Sequence, residues 1–243
     1  NENEITKLTA TDDPNYQGIL TGGISGGVGN NVQIHSVGYP SFSYFVFEQV
    51  YDAAGVPIEG LYVDRNGDGT VTPDDMYRYK KAAPDATFGF YTGVNLGNFD
   101  LSLGARAMVG NYVYNNNLAS QGVYDFVYNS SGGGDGYLNN VDSQTEALDI
   151  NTPRYFSDHY VQDGSFLRID HITAGYDFGN IGSAISSFRL SITAQNPLLI
   201  TGYDGIDPEI ASRDVTTNSV GFGIDNNIYP RSRTFLLGLN VKF

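Results

Sequence analysis

Phe99-Asp100-Leu101-Ser102-Leu103-Gly104-Ala105-Arg106-Ala107-Met108-Val109 is the stretch on which the fold turns. Phe99, Leu101, Leu103, Ala105, Ala107 and Val109 fall on one parity, and Asp100, Ser102, Gly104 and Arg106 on the other. Successive side chains of a strand point to opposite faces, so these two sets predict one apolar and one polar face. The pattern extends the expected strand over residues 99–114. Just before it, residues 85–97 place Ala86, Phe88, Phe90, Val94 and Leu96 on one parity, with Thr92 interrupting. Gly97-Asn98 between the two is a two-residue hairpin signal.

The same period recurs toward the end of the chain. In residues 185–197, Phe188, Leu190, Ile192 and Ala194 oppose Arg189, Ser191, Thr193 and Gln195. In residues 231–243, Phe235, Leu237, Leu239, Val241 and Phe243 oppose Thr234, Leu236, Gly238, Asn240 and Lys242. Within residues 160–178, Ile172, Ala174, Tyr176 and Phe178 alternate, but Leu167 and Ile169 lie on the other parity. A β-bulge near Asp170-His171 would restore the phase. A sixth segment, residues 41–51, is aromatic on both parities and its facing is open. Helical periodicity is nearly absent.

The connections add order to these strands. Residues 52–84, 115–159 and 198–230 are each roughly 30 residues or more, far above ordinary loop lengths. Gly97-Asn98 and residues 180–184 are short. Long and short links alternate, and the strands reach the ~10 residues needed to cross a bilayer. This predicts an all-β fold of antiparallel transmembrane β-barrel strands, with short periplasmic turns and long extracellular loops. Leu96, Phe99, Phe178 and Phe243 then share the inner interface, with Phe243 expected to be buried. Six strands cannot close a pore, since the smallest such barrels have about 8. Residues 1–243 therefore read as the C-terminal portion of a larger barrel. A secreted soluble β-sandwich, acting as a glycan-binding module with one calcium loop, explains the alternation equally well but not the order of the links.

Composition bounds the function. The chain has 243 residues, 16% charged, with net charge −14, which disfavours nucleic-acid partners. It has no cysteine, so disulfides, thiolate catalysis and cysteine-held metals are excluded. No apolar run approaches the ~18 residues of a membrane helix. Asn1-Glu2-Asn3-Glu4 is polar and unlike a signal peptide, so the segment reads as cytosolic, as a mature piece or as a fragment.

One motif suggests an ion. Residues 64–75 run Asp-Arg-Asn-Gly-Asp-Gly-Thr-Val-Thr-Pro-Asp-Asp. Asp64, Asn66, Asp68, the Thr70 carbonyl and Asp75 fit the ligand spacing of a structural calcium loop, with Asp75 where glutamate is usual. An acidic loop of Asn-Gly and Asp-Gly turns fits equally well. Gly23-Ile24-Ser25-Gly26-Gly27 matches a nucleophile elbow in letters only, because no helix pattern follows. His35, His159 and His171 lie far apart, and no acid pair stands out, so an enzyme is not expected. Tyr112, Tyr114, Tyr124, Phe126 and Tyr128 either stack on substrate or pack their own loop.

An ordered set of segments resembles one family. Asn196-Pro197-Leu198, then Tyr203-Asp204-Gly205-Ile206-Asp207-Pro208-Glu209, then Tyr229-Pro230-Arg231-Ser232-Arg233-Thr234 lead to the closing Leu237-Gly238-Leu239-Asn240-Val241-Lys242-Phe243. Gly164-Ser165-Phe166-Leu167-Arg168-Ile169 with Ile172-Thr173-Ala174-Gly175-Tyr176 resembles the preceding hairpin, and Asp68-Gly69, Asp75, Pro84, Phe88-Gly89 and Phe99-Asp100-Leu101-Ser102 the one before. Together they resemble the C-terminal barrel of SusC/RagA-type TonB-dependent transporters of Bacteroidetes. The resemblance implies a barrel of about 22 strands, a plug domain that lies outside these residues, TonB as energy source, a SusD-like lipoprotein lid and dimers of such pairs. It implies import of oligosaccharides or peptides across the outer membrane.

Overall fold

The structure is a computed structural model, and it describes residues 3–9, 16–24, 30–129, 136–210, 221–226 and 228–243. The chain divides into two compact units. One comprises Asn1–Asp85, Gly110–Gly164 and Tyr203–Ile228; the other comprises Ala86–Val109, Ser165–Gly202 and Tyr229–Phe243.

The second unit is a single antiparallel sheet of five strands. These are β1 (Ala86–Leu96), β2 (Phe99–Val109), β3 (Phe166–Ile181), β4 (Ile185–Thr201) and β5 (Thr234–Lys242), in spatial order β5-β4-β3-β2-β1. Sequence neighbours are spatial neighbours throughout. Leu96 pairs with Phe99, so Gly97-Asn98 is the expected tight turn, and Ile181 pairs with Ile185 around the second. The register slips between Ile169 and His171 against both β2 and β4, leaving Asp170 as the bulge. That slip sets Leu167 and Ile169 on the same face as Ile172, as the parity argument required. Opposite the bulge, Asn196 takes a positive φ of 50° and Pro197 falls in the register gap of β4. Proline belongs there because β5 pairs only as far as Gln195, so the missing N–H breaks no ladder.

Two expected strands are shorter than predicted. Residues 99–114 break at Gly110, whose φ is +79°, and Tyr112–Asn115 joins a different sheet. Residues 160–178 break at Gly164, and Val161–Asp163 pairs with Tyr112–Asn115. Residues 41–51 form two strands, Ser43–Val46 and Gln49–Tyr51, in separate sheets.

The long links are not irregular loops. With the N-terminal residues they build the first unit, which holds the buried core. Ile19–Gly23, Asn31–His35, Ser43–Val46 and Tyr77–Lys81 form its four-stranded sheet. Val32, Tyr44, Val46, Tyr114, Leu118 and Tyr160 are among the side chains at its centre. Distant segments are stitched together by buried polar groups. Gln33 donates to the carbonyl of Phe222 at 2.7 Å, and Tyr44 shares its hydroxyl hydrogen between the carbonyls of Tyr112 and Gly223 at 2.8 and 2.7 Å. Burial without solvent obliges each such group to find a partner.

Candidate functional site

The two faces of the five-stranded sheet differ as the parity predicts. Residues directly opposite share a face. Leu96, Phe99, Tyr176, Leu190 and Leu239 form one row across all five strands, and Val94, Leu101, Ala174, Ile192 and Leu237 form the next. These side chains are not covered: Phe90 is 60% exposed, Phe235 73% and Leu237 68%. At the hairpin end, the Phe178 ring lies 4.8 Å from Tyr176 and 5.4 Å from Phe188. Phe243, expected to be buried, is 92% exposed.

The opposite face is polar and specific. Arg189 makes a two-pronged ion pair with Asp100, and Arg106 pairs with Asp170 at 3.2 Å. The hydroxyls of Thr173 and Thr193 are 2.8 Å apart. The His171 ring covers Gly104, where a Cβ would strike the imidazole, and lies 6.0 Å from the Tyr91 ring. At the level of the bulge, an open crevice of about 780 Å³ is lined by His171, Thr193, Gln195, Asn196, Arg231 and Thr234, among others. Small residues where side chains cross strands, and ion pairs on one face only, suit a wall with water on that side and hydrocarbon on the other.

Residues 64–75 form a loop ordered by its own backbone. The two Asp64 oxygens accept from the amides of Gly67 and Gly69, both at 2.7 Å. Asp68 accepts from Thr70, and Asn66 from Asp68, each at 2.8 Å. Asp75 is fully buried and accepts the amides of Arg65, Asn66 and Thr72, while its own amide donates to the carbonyl of Thr72, the cap of the short 3₁₀ turn Pro73–Asp75. Those amides, Thr72 first, hold its carboxyl below the usual range. Among the described residues no group of three or more His, Asp or Glu side chains gathers around a metal-sized point. The carboxylates serve as turn formers, and each oxygen that accepts one amide keeps a second lone pair.

The other sequence candidates separate. Tyr114 is fully buried and Phe126 packs on the core, whereas Tyr124 and Tyr128 are 40% and 56% exposed. The five aromatics therefore do not form one binding strip. Ser25 and the glycines after it lie outside the described residues. Two polar clusters carried no sequence signal. Glu59 takes the Asn151 amide at 3.0 Å and the Thr152 hydroxyl at 2.7 Å, and also binds the Asn151 side chain and Arg154. Burial works against its charge, but these donors outweigh it and depress the carboxyl to about 2. Asp158 accepts from the Tyr77 hydroxyl at 2.7 Å and the Gln49 amide at 3.0 Å, and burial raises its pKa. Partners 81 to 109 positions apart leave no pattern along the chain.

Over its whole length the chain is 41% identical to the TonB-dependent receptor SusC of Bacteroides thetaiotaomicron. The TonB-dependent receptor P3 of Formosa agariphila is 30% identical across 75% of this chain. The chain spans 23% of the first relative and 19% of the second. Structures of the RagAB peptide transporter and of the RagAB peptide importer in its closed-closed state superpose with TM-scores of 0.65 and 0.64, at 22% and 23% identity. Each covers 99% of this chain, which spans 26% of the matched chain in both, and at that identity the match speaks to fold alone. No family model matches. The chain is SusC/RagA-like TonB-dependent receptor sequence from end to end, matched to about a quarter of its homologues. That family is one of transporters and not of enzymes, and its members reside in the outer membrane of Gram-negative bacteria.

Proposed function

We propose that this stretch of a SusC/RagA-like receptor is the C-terminal wall of an outer-membrane importer, with its long links on the extracellular side. The observation that carries the reading is the uncovered sheet. Five adjacent antiparallel strands of 9 to 17 residues expose phenylalanine and leucine on one face and an ion-paired polar lattice on the other. A soluble β-sandwich buries one face of each sheet; a membrane wall needs neither face buried, only lipid outside and a lumen inside. Among the described residues both outer strands, β1 and β5, have a partner on one edge only, and in a barrel the other edges are filled by the remaining strands, about 22 in all.

In this reading the importer takes up oligosaccharides or peptides, draws energy through TonB, and works beneath a SusD-like lipoprotein lid in a dimer of such pairs. Contacts with TonB and the plug lie in parts of the protein beyond these residues. A calcium ion at Asp64, Asn66, Asp68, Thr70 and Asp75 belongs to the same proposal, as an added brace for an outer loop. The oxygens that accept a single amide, the two of Asp64 and Oδ2 of Asp75 among them, keep a lone pair that would receive it without dismantling the amide contacts.

Fractionation tests the location. The full-length protein is expected in detergent-extracted outer membrane, running as a heat-modifiable barrel. Recovery as a soluble monomer would overturn the reading and favour the sandwich.

A further inference from the structure

We propose that the strand Tyr77–Lys81 and the neighbouring Tyr39 form a recognition site for a carboxylate group on the imported substrate. The proposal rests on the importer reading and sharpens its substrate class. The chain has 13 lysines and arginines against 27 acids. Yet Arg78, Lys80 and Lys81 fall within four consecutive residues. All three line one open pocket of about 460 Å³, together with Tyr39, Pro40, Ser43 and Tyr79. That volume lies in the range of ordinary ligand pockets.

The charges there are held but not neutralised. Arg78 donates from Nε to the Ser36 hydroxyl at 2.8 Å and from Nη2 to the Gln17 carbonyl at 2.6 Å. Its guanidinium stands 5.0 Å from the Tyr39 ring centroid and 5.5 Å from that of Phe45. Lys80 is exposed, with its ammonium 5.0 Å from the Tyr112 ring centroid and 5.6 Å from that of Tyr79. Lys81 alone has a carboxylate, Asp85 at 2.7 Å. Among the described residues neither Arg78 nor Lys80 has one. Aromatic faces and neutral oxygens orient a cation without cancelling it. The result is a cluster of three basic side chains around one pocket in a chain of net charge −14. Tyr39, 43% exposed, adds a flat apolar surface beside the charges. An anion attached to a ring or a short apolar stem suits both features. A uronic acid and an acidic amino acid share that chemistry.

Calorimetry on the full-length transporter purified in detergent tests the site. The probes are digalacturonate against galactobiose, and glutamyl-glutamate against glutaminyl-glutamine. At least one acidic probe is expected to bind about tenfold or more tightly than its neutral partner, and Lys80→Gln to weaken that probe about tenfold, as loss of one charge-assisted contact does. Whether the sugar acid or the acidic peptide binds identifies the source of the carboxylate. Lys80 is chosen because it is exposed and its side chain makes no hydrogen bond among the described residues; Arg78 is left intact. Equal binding of acidic and neutral probes, no binding of either acid, or an unchanged Lys80→Gln variant each overturns the site. The importer reading fails separately, by absence of the protein from the outer membrane.

Discussion

Arg189 grips Asp100 from two strands away, with Nε and Nη2 donating to Oδ1 and Oδ2 at 3.0 and 2.6 Å across Gly175. Gly175 pairs with Asp100 on β2 and with Ser191 on β4, so the ion pair passes over the strand between. A Cβ on Gly175 would collide with both charged groups. The small residue and the ion pair are thus one device. It ties three strands together on the polar face, in line with the fork geometry that lets guanidinium meet carboxylate two-pronged.

Gly175→Val should therefore break this device without touching the apolar face. The expected outcome is a lower temperature for loss of the heat-modifiable form on gels. Asp100→Asn should give a smaller shift, and Gly175→Val added to Asp100→Ala should cost less than the sum of the separate changes. Strict additivity would show that the glycine and the ion pair act independently.

The facing of the sheet predicts a sharp asymmetry for arginine. Leu190→Arg or Leu237→Arg places the charge toward lipid and should cost ~2–4 kcal/mol near the midplane. Thr193→Arg, on the polar face opposite Leu236, should cost far less. Denaturant titration of the folded barrel in lipid vesicles measures both. Equal costs at the two kinds of position would refute the lipid and lumen assignment.

The loop of residues 64–75 separates its two roles by ion dependence. If calcium joins Asp64, Asn66, Asp68, Thr70 and Asp75, titrating calcium into the chelated protein gives heat that disappears in Asp68→Ala. With no heat in the unaltered protein, the loop is an acidic turn held by its own amides. Asp75→Ala should unsettle the loop in either case, since three backbone amides depend on that carboxylate.

Glu59 predicts a response to acid. Its carboxyl is depressed from 4.5 to about 2 in the folded state. A depressed pKa means that its stabilisation is fully present above the unfolded value and is lost as pH falls through the folded one. Amide exchange at Asn151 and Thr152 should stay slow at pH 5 and accelerate as pH drops from 4.5 toward 2, after correction for intrinsic rates. Glu59→Gln should show the faster exchange already at pH 5. A flat profile in the unaltered protein would rule out the carboxylate as the clasp.

Residues 86–109, 165–202 and 229–243 carried much of their own answer. Alternation, the Gly97-Asn98 turn and the phase error repaired at Asp170 are local properties, because strand facing and turn geometry depend on a few consecutive residues. The overlong strand 99–114 shows the limit. β-forming residues continue past Gly110 in Tyr112-Val113-Tyr114, but that glycine's positive φ redirects the chain, and Tyr112–Asn115 pairs with Val161–Asp163 instead.

The candidate calcium ligands were legible as a spacing, and the structure added what each oxygen already does. The carboxylate pocket was not legible, because Tyr39 and Arg78 meet only through folding. Nor did the sequence disclose that the long links gather into a core of their own. Gln33 and Phe222 are 189 positions apart, and Tyr44 and Gly223 are 179. What the sequence by itself determined was the sheet: which residues face which way, and where it turns. Tertiary structure alone decided which distant polar groups are buried together, since that depends on whole segments closing on one another and on no period along the chain.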